Sequence, residues 1–353
     1  MDGESPRFRL SKIHIRNYKS IDDLEVTFPP PRSPEQPDVF VLGSKNGVGK
    51  TSFLECCAWT LLAAKHKLTE RLEGHAPFAT VVRSGKEKAL VVANALVEGH
   101  DRAATLHIHS SGFNVEAAHG WRERGTLSAA EDWYTRLLGA ESEPLVLPPV
   151  LFFHSYRKVN EGSSALGDIV APEFSYTRAR YGRFGPTALS TFKFAVVRAL
   201  MAQSGLFELA QRGRHETANL DQNLDSGEVL SQLNSLIEAF AGGRVEKLRP
   251  GREGNLELRV LPTDGGESFS FDGLSSGQKE IIATLFLIWH HTRNQPSVVL
   301  IDEPELHLNA EWQRIFVHEL GKIAPQNQYI LATHAQEIWA SVDEDRRIML
   351  SPS

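Results

Sequence analysis

Short apolar runs alternate with longer segments of helical spacing along this chain, an order typical of α/β proteins. Residues 39–42 (VFVL) and 297–301 (SVVLI) are almost continuously apolar, which predicts parallel strands buried on both faces. Residues 280–291 carry apolar side chains at helical spacing. Residues 11–28 instead alternate apolar and polar side chains, so we expect two half-exposed strands joined by a turn at 17–20.

The predicted secondary structure changes twice in the middle of the chain. Short β-type runs separated by Gly, Asp and Arg clusters occupy residues 80–118 and predict a small antiparallel sheet. Helical spacing returns at 187–212 and 226–241, and strands with glycine-rich turns follow at 242–273. We therefore expect an α/β protein with a mostly parallel sheet, an antiparallel subdomain and a helical region.

A candidate phosphate-binding loop, GSKNGVGKT at 43–51, joins the first apolar strand to a helix. Backbone N–H groups can surround a phosphate oxygen only where side chains leave room, as at Gly47 and Gly49. The first turn of the helix adds unpaired N–H groups and a positive dipole end. Lys50 can reach the β- and γ-phosphates, and the Thr51 hydroxyl can bind Mg²⁺.

The loop departs from the pattern G-x-x-x-x-G-K-[ST] at one position. Ser44 stands where the first glycine is expected, and Gly43 comes one residue early. A short serine is compatible with this turn, so we favour a nucleotide site over an ordinary strand-to-helix turn. The residues expected to bind the nucleotide are Ser44, Asn46, Gly47, Val48, Gly49, Lys50, Thr51 and Ser52.

Polar residues also follow two later apolar runs. Asp302 and Glu303 come directly after 297–301, and His334 ends the run YILATH. The carboxyl ends of parallel strands are where α/β sheets bind ligands. We expect Asp302 to complete the Mg²⁺ shell with Thr51, Glu303 to polarise the attacking water and His334 to sense the γ-phosphate. The alternatives are a second structural carboxylate and a core histidine.

The motifs GSKNGVGKT, LSSGQ, VVLIDEPELHL and ATH, in this order, resemble those of ABC-type P-loop ATPases. With the opening LSKIHIRNYKSIDDLEVTF, the chain looks more narrowly like the SMC/RecF/OLD-like branch, whose members act on DNA or in anti-phage defence. The resemblance implies an ABC-ATPase head with a mostly parallel P-loop sheet, an antiparallel β subdomain and a helical signature subdomain. It also implies hydrolysis of ATP with Mg²⁺, and it places Arg16 and Asn17 near the nucleotide base.

The resemblance further implies a homodimer or a higher homo-oligomer. In this family the signature motif of one protomer touches the γ-phosphate held by the other, so that two ATP molecules are enclosed. The signature residues of this chain are Ser275, Ser276, Gly277 and Gln278. Roughly 220 residues separate Thr51 from Leu274 without a sustained heptad run, so we expect a compact insertion and no long coiled-coil arm.

These features suggest four parts. Residues 1–67 form the N-terminal part of the head with the P-loop, and 68–125 form the antiparallel β subdomain. Residues 126–270 form a compact inserted helical and β region. Residues 271–353 form the C-terminal part of the head, with the signature, the Walker B carboxylates and the switch histidine.

Composition and charge narrow the cellular setting. The chain has 353 residues, 41% of them hydrophobic, and a formal net charge of −6, so contacts with nucleic acid must be local. Cys56 and Cys57 are neighbours in a helix and cannot bridge, which indicates a reducing, cytoplasmic environment. The longest apolar run, 281–289, is about half of a membrane span, so we expect no membrane association.

Two sets of residues have more than one possible role. Arg178, Arg180 and Arg183 alternate with aromatic residues, a chemistry that suits single-stranded nucleic acid or a phosphate-bearing partner. The alternative is a solvated loop whose rings pack on the head. The family's Q-loop glutamine has no evident counterpart, and its stand-ins are His154, Ser155 or Arg157.

The leading hypothesis is an ATPase whose ATP-driven dimerisation controls a separately encoded effector, a nuclease or toxin, in anti-phage defence. No acidic nuclease cluster follows His334, which points to a partner. A second reading is a RecF-like repair ATPase that binds DNA through Arg244, Lys247, Arg249 and Arg252. A transporter ATPase subunit fits less well, because ELHLN follows DEP, and the intact Lys50 argues against an ATP-locked scaffold that does not hydrolyse.

Overall fold

The structure, a computed structural model, describes residues 8–31, 38–44, 47–66, 69–71, 80–97, 100–110, 112–117, 145–147, 150–155, 192–193, 196–197, 226–250, 256–293 and 296–351. The chain divides into two compact units, residues 1–157 with 291–353 and residues 158–290. Within the described ranges, no helix combines the length and the apolar character needed to cross a membrane.

Six described strands of the first unit form an antiparallel sheet. They are β1 (Phe8–Tyr18), β2 (Ile21–Thr27), β4 (Thr69–Arg71), β5 (Lys88–Val97), β6 (His100–His109) and β7 (Gly112–Ala117). Their order is β2-β1-β5-β6-β7-β4. The predicted hairpin at 11–28 and the predicted strands at 80–118 therefore belong to one sheet, in which β1 lies between β2 and β5. The four-part division, which separates these strands, stays a prediction.

A second sheet in the same unit is mainly parallel. It contains β3 (Asp38–Gly43), β8 (Leu145–Leu147), β9 (Val150–Phe153), β13 (Val298–Asp302), β14 (Gln328–Ala332) and β15 (Arg347–Met349). The order of these described strands is β15-β3-β14-β13-β9-β8, and the pairing of β8 with β9 is antiparallel. Strands β3, β9, β13 and β14 are buried along their whole length. The apolar runs at 39–42 and 297–301 are thus parallel strands, as predicted.

Helix α1 (Lys50–His66) packs against both sheets. Because each side of the helix meets a sheet, those of its apolar side chains that the structure describes are buried all round rather than along one stripe. The Trp59 ring contacts Phe113 of β7 edge-on at 5.0 Å, and Phe53 contacts Phe28 at 6.4 Å. Cys56 is a buried free thiol, and burial raises its pKa, so it stays protonated.

Buried polar contacts join the two sheets near β3. The Asp38 carboxylate accepts from the Arg9 guanidinium at 3.1 Å and from the Arg346 guanidinium at 2.9 Å. All three side chains are less than a tenth exposed. The Gln328 amide pairs with both backbone groups of Leu10, at 2.7 and 2.9 Å, in the manner of a strand neighbour. The start of β1 is therefore attached to the parallel sheet through polar groups.

The next two helices in chain order belong to the second unit, together with three described antiparallel strands, and the following two helices belong to the first unit. The helices are α2 (Ser226–Ala241), α3 (Ser276–Thr292), α4 (Ala310–Ile323) and α5 (Gln336–Ala340). The strands are β10 (Gly243–Pro250), β11 (Leu256–Pro262) and β12 (Phe269–Ser270). In the second unit Phe192 packs against Phe271 and Phe286, with ring centroids 5.1 and 5.3 Å apart.

Candidate functional site: a nucleotide cavity

The phosphate loop begins at a position where only glycine fits. A Cβ on Gly43 would lie 2.5 Å from the Trp339 ring of α5, which packs over the end of β3. Ser44 then occupies the place of the first glycine of the pattern, and its hydroxyl accepts a hydrogen bond from Lys50 Nζ at 3.2 Å. The early glycine and the serine are thus explained by contacts with Trp339 and Lys50.

The turn into α1 also depends on glycine. Gly47 and Gly49 have φ values of 81° and 104°, which favour residues without a Cβ. A Cβ on Gly49 would lie 2.8 Å from the hydroxyl oxygen of Ser20. Helix α1 starts at Lys50, so the N–H groups of its first turn have no intrahelical acceptor and can bind an anion.

A cavity of about 700 Å³ opens at this turn, a volume typical of small-molecule sites. Its lining residues come from the β1–β2 turn, from the P-loop and from the ends of β13 and β14. They are Ser20, Gly47, Gly49, Lys50, Thr51, Ser52, Asp302, Glu303 and His334. All of them except Ser20 are candidates from the sequence, so the structure brings these candidates together.

Thr51 and Asp302 meet in the lining of the cavity. The Thr51 hydroxyl donates to Asp302 Oδ2 at 2.9 Å, and Asp302 is 1% exposed. Hydroxyl and carboxylate oxygens at this separation are the hard oxygen donors that Mg²⁺ prefers. The residues present therefore fit a magnesium ion.

Glu303 follows β13 in a left-handed conformation, with φ of 49°. Its N–H donates to Ala332 O of the neighbouring strand at 2.8 Å, which fixes this backbone. Left-handed conformations are costly for residues other than glycine and concentrate at functional sites. Burial raises the pKa of the Glu303 carboxyl, and the Asp302 and Glu305 carboxylates beside it raise that pKa further.

Lys50 and His334 are in contact inside the cavity. Lys50 Nζ lies 2.8 Å from His334 Nε2, and the ammonium donates, so the facing ring nitrogen accepts. Burial lowers the pKa of Lys50, although the carboxylates of Asp302, Glu303 and Glu305 oppose this shift. A ligand in the cavity can therefore contact the lysine and the histidine at once.

Glu305 is a site residue that the sequence interpretation does not assign. Its two carboxylate oxygens accept from the Thr333 hydroxyl and from the His334 N–H, each at 2.7 Å. The available signal was its place in DEPELHL, two residues after Glu303.

Ser20 is a second site residue that the sequence interpretation does not assign, and the contacts around it explain its position. Arg83 donates to Ser20 O at 2.9 Å, and Lys19 Nζ contacts the buried Glu55 carboxylate of α1 at 2.6 Å. The β1–β2 turn is thereby fixed against the P-loop helix. Ser20 comes from the RNYKS segment, in which the resemblance points to Arg16 and Asn17 instead.

Arg16 and Asn17 lie outside the group of described residues that line the cavity. The Arg16 side chain is half-exposed on β1 and contacts Asp23 at 3.2 Å. Asn17, with φ of 57°, donates to Lys88 O at 3.4 Å. Their expected contact with the base stays a prediction.

The signature residues form a capping box at the start of α3 in the second unit. Gln278 N–H donates to the Ser275 hydroxyl at 3.2 Å, and Gln278 Oε1 accepts from Ser275 N–H at 2.9 Å. The Gln278 amide also donates to Phe240 O at 3.0 Å. The first turn of α3 presents the N–H groups of Ser276 and Gly277.

Several other candidates are not among the described residues that line the cavity, or lie outside the described part of the chain. His154 is buried directly after β9, and its neighbour Ser155 contacts it at 3.4 Å. Arg244 is exposed on β10. Lying outside the described residues are Asn46, Arg157, Arg178, Arg180, Arg183 and Arg252, together with the side chains of Lys247 and Arg249.

Family models and known proteins match this chain in sequence. A family model described as "AAA domain, putative AbiEii toxin, Type IV TA system" matches residues 135–339, and one described as "AAA domain" matches residues 12–95. The "Retron Ec83 probable ATPase" of Escherichia coli is 23% identical, over 96% of this chain and 71% of that protein. The "Retron Vc95 probable ATPase" of Vibrio cholerae serotype O1 biovar El Tor is 29% identical, over 36% of this chain and 27% of that protein.

The match to the Vibrio protein therefore spans only about a quarter of that relative's length. Among solved structures, the Smc head domain of Pyrococcus furiosus, with an extended coiled coil and bound to the C-terminal domain of ScpA, has a TM-score of 0.54. The two are 14% identical, and the likeness covers 98% of this chain and 94% of that one. The predicted head fold of the ABC-ATPase type is confirmed.

Proposed function

Because the chain belongs to the AAA-domain family of P-loop ATPases whose model matches residues 135–339, we propose that it is an ATP hydrolase whose ATP-driven dimerisation controls an effector protein. The effector is a separately encoded nuclease or toxin, and the setting is anti-phage defence. The observation that carries the catalytic part is the cavity where Lys50, the Thr51–Asp302 pair, Glu303 and His334 meet.

The cavity has a group for each requirement of phosphoryl transfer, which depends on positioning and charge compensation more than on covalent chemistry. The loop N–H groups and the Lys50 ammonium bind the phosphates. Thr51 and Asp302 would hold Mg²⁺, which would supply further neutralisation of phosphate charge. Glu303 orients the attacking water and accepts its proton, and the raised pKa of Glu303 makes it a stronger base.

The dimer is proposed from the signature motif. The capping box fixes the first turn of α3, so the N–H groups of Ser276 and Gly277 can act as donors to a phosphate of a second protomer. ATP that bridges two protomers stabilises the dimer by mass action, and its hydrolysis opens the dimer. The assembly is a homodimer or a multiple of it.

The proposed role in defence is supported by the retron ATPases among the relatives, one of which matches nearly the whole chain. Control of an effector is proposed from the motifs. Among the described residues, no group of three or more His, Cys, Asp or Glu side chains is placed to hold a metal. We place the protein and its effector in the cytoplasm.

Purification of a trapped dimer tests this function. Glu303→Gln removes the base but keeps the cavity, so the variant should bind ATP and hydrolyse it about 100-fold or more slowly than the wild type. Expressed in the native host and purified in ATP, it should be recovered as a dimer that carries a second protein. Lys50→Ala, treated identically, should be recovered as a monomer.

The alternative outcomes separate the hypotheses. Dimers that carry DNA alone would favour a repair ATPase over effector control, and ATPase activity should then rise with DNA and fall steeply with salt. A monomer of Glu303→Gln without partner or DNA would contradict the dimer. A wild-type protein that does not hydrolyse ATP would contradict the catalytic assignment itself.

A further inference from the structure

The Glu305 carboxylate uses both of its oxygens on the segment that follows β14. Oε2 accepts from the Thr333 hydroxyl, and Oε1 accepts from the His334 N–H, each at 2.7 Å. Both partners are donors, which a carboxylate with two acceptor oxygens can satisfy and a neutral amide cannot. Hydrogen bonds to an ionised acceptor are also stronger than neutral ones.

The contact extends over three consecutive residues. The Thr333 hydroxyl also accepts from Ala335 N–H at 2.9 Å, so Glu305 orders the residues on either side of His334. On the other side, Thr333 N–H donates to Leu42 O of β3 at 3.1 Å. His334 is therefore held between a fixed strand end and the Glu305 carboxylate.

Glu305 itself lies on a tight turn. Leu306 N–H donates to Glu303 O at 3.1 Å, and Leu308 N–H donates to Glu305 O at 2.9 Å. Glu305 thus lies inside the turn that begins at the catalytic candidate Glu303, and it begins a second turn itself. A side chain on such a hydrogen-bonded turn can position its partners more closely than one on a loose loop.

We propose that Glu305 is a positioning residue for hydrolysis: its carboxylate fixes Thr333 and His334 so that the imidazole remains beside Lys50 at the terminal phosphate. The inference rests on the proposed ATPase function and adds to it a residue that acts through His334.

Helix capping does not account for these contacts. Helix α5 has Ala335 at its N-cap, with no side-chain cap, and the Glu305 oxygens bind residues that precede the helix. The Lys50–His334 contact, by contrast, depends directly on where the His334 backbone lies. The geometry is that of a support for the switch histidine.

The test separates turnover from binding. Glu305→Gln should lower kcat by about 10- to 100-fold, the usual range for residues that orient a catalytic group, while the dissociation constant for ATP and the melting temperature remain near wild type. Glu311→Gln makes the same chemical change on an exposed position of α4 and should leave kcat unchanged. A Glu305→Gln protein with wild-type kcat overturns the inference.

A double-mutant cycle shows whether Glu305 acts through the histidine. Adding Glu305→Gln to His334→Ala should cause little further loss of kcat, because the group that Glu305 positions is already absent. Losses that multiply would show an independent role and would refute the proposal. If Glu305→Gln does not fold, Thr333→Val removes one of the two contacts, and an unchanged kcat there counts equally against it.

The two proposals fail in different ways. A wild-type protein without ATPase activity would refute the proposed function. If the wild type is active and the Glu305 and Thr333 variants have the same kcat, the proposed function is retained and only the positioning role is refuted.

Discussion

Lys50 Nζ and His334 Nε2 lie 2.8 Å apart although their residues are 284 positions apart in the chain. The ammonium also donates to the Ser44 hydroxyl at 3.2 Å. The Ser44 hydroxyl and the His334 ring thus both contact the Lys50 ammonium inside the cavity. A bound phosphate offers it an anionic partner, which is a stronger acceptor than either.

We expect Lys50→Ala to weaken ATP binding by about 100-fold, or about 2.7 kcal/mol, because a charge-assisted contact with the phosphates is lost. Isothermal titration calorimetry with ATP and magnesium measures this. Lys322→Ala, at an exposed position of α4 that pairs with Glu319, is the matched control and should bind as the wild type does. Equal affinity of Lys50→Ala and wild type would contradict the assignment of the loop.

The pH dependence of turnover should reflect the ionisation of the Glu303 carboxyl. The base must be ionised to accept a proton, and its pKa is raised above the ordinary 4.5 by burial and by the Asp302 and Glu305 carboxylates. Single-turnover rates should therefore be constant above this pKa and fall below it, with the acid limb above pH 4.5. Glu305→Gln removes one negative charge beside Glu303, so the acid limb of this variant's pH profile should shift to lower pH. A shift to higher pH would contradict this electrostatic account.

Gly43→Ala should destabilise the protein by about 1–3 kcal/mol, because its Cβ would lie 2.5 Å from the Trp339 ring. Thermal unfolding of the single variants and of Gly43→Ala with Trp339→Ala measures the coupling. The double variant should lose less stability than the sum of the two single variants, since the smaller side chain makes room. Strict additivity would show that the two residues do not compete for space.

Asp38→Asn should lower the free energy of unfolding by about 3–5 kcal/mol, because two buried guanidinium groups lose their counter-charge. Urea unfolding provides the measurement. Asp23→Asn makes the same change on β2, where Asp23 forms an exposed pair with Arg16 of β1, and should cost less than about 0.5 kcal/mol. Similar losses for both variants would show that burial of the Asp38 cluster contributes little.

The fold and the centre of the site follow from patterns that lie within short stretches of sequence. Apolar runs predicted β3 and β13, and the rule that ligands bind at the carboxyl ends of parallel strands singled out Asp302, Glu303 and His334. The in-register pairing of Asp302 with Ala332 brings the residues after both strands to one edge. Local patterns succeed here because parallel pairing makes strand ends neighbours.

Glu305 and Ser20 were not predicted because their roles depend on contacts between distant segments. Glu305 reaches Thr333, 28 positions away, through a turn whose direction the motif alone does not specify. Ser20 enters the cavity because the β1–β2 turn is attached to α1 through Lys19 and Glu55, 36 positions apart. No periodicity in either segment indicates these contacts.

The neighbours of β3 have a consequence for biosynthesis. This strand carries the phosphate loop, yet its hydrogen-bonded partners in the described sheet are β14 and β15, residues 328–349. A ribosome that has made the P-loop must still make nearly three hundred residues before that strand can pair. A nascent chain therefore acquires its ATP site late, and premature termination before β14 yields a fragment that holds the P-loop sequence without the sheet that orders it.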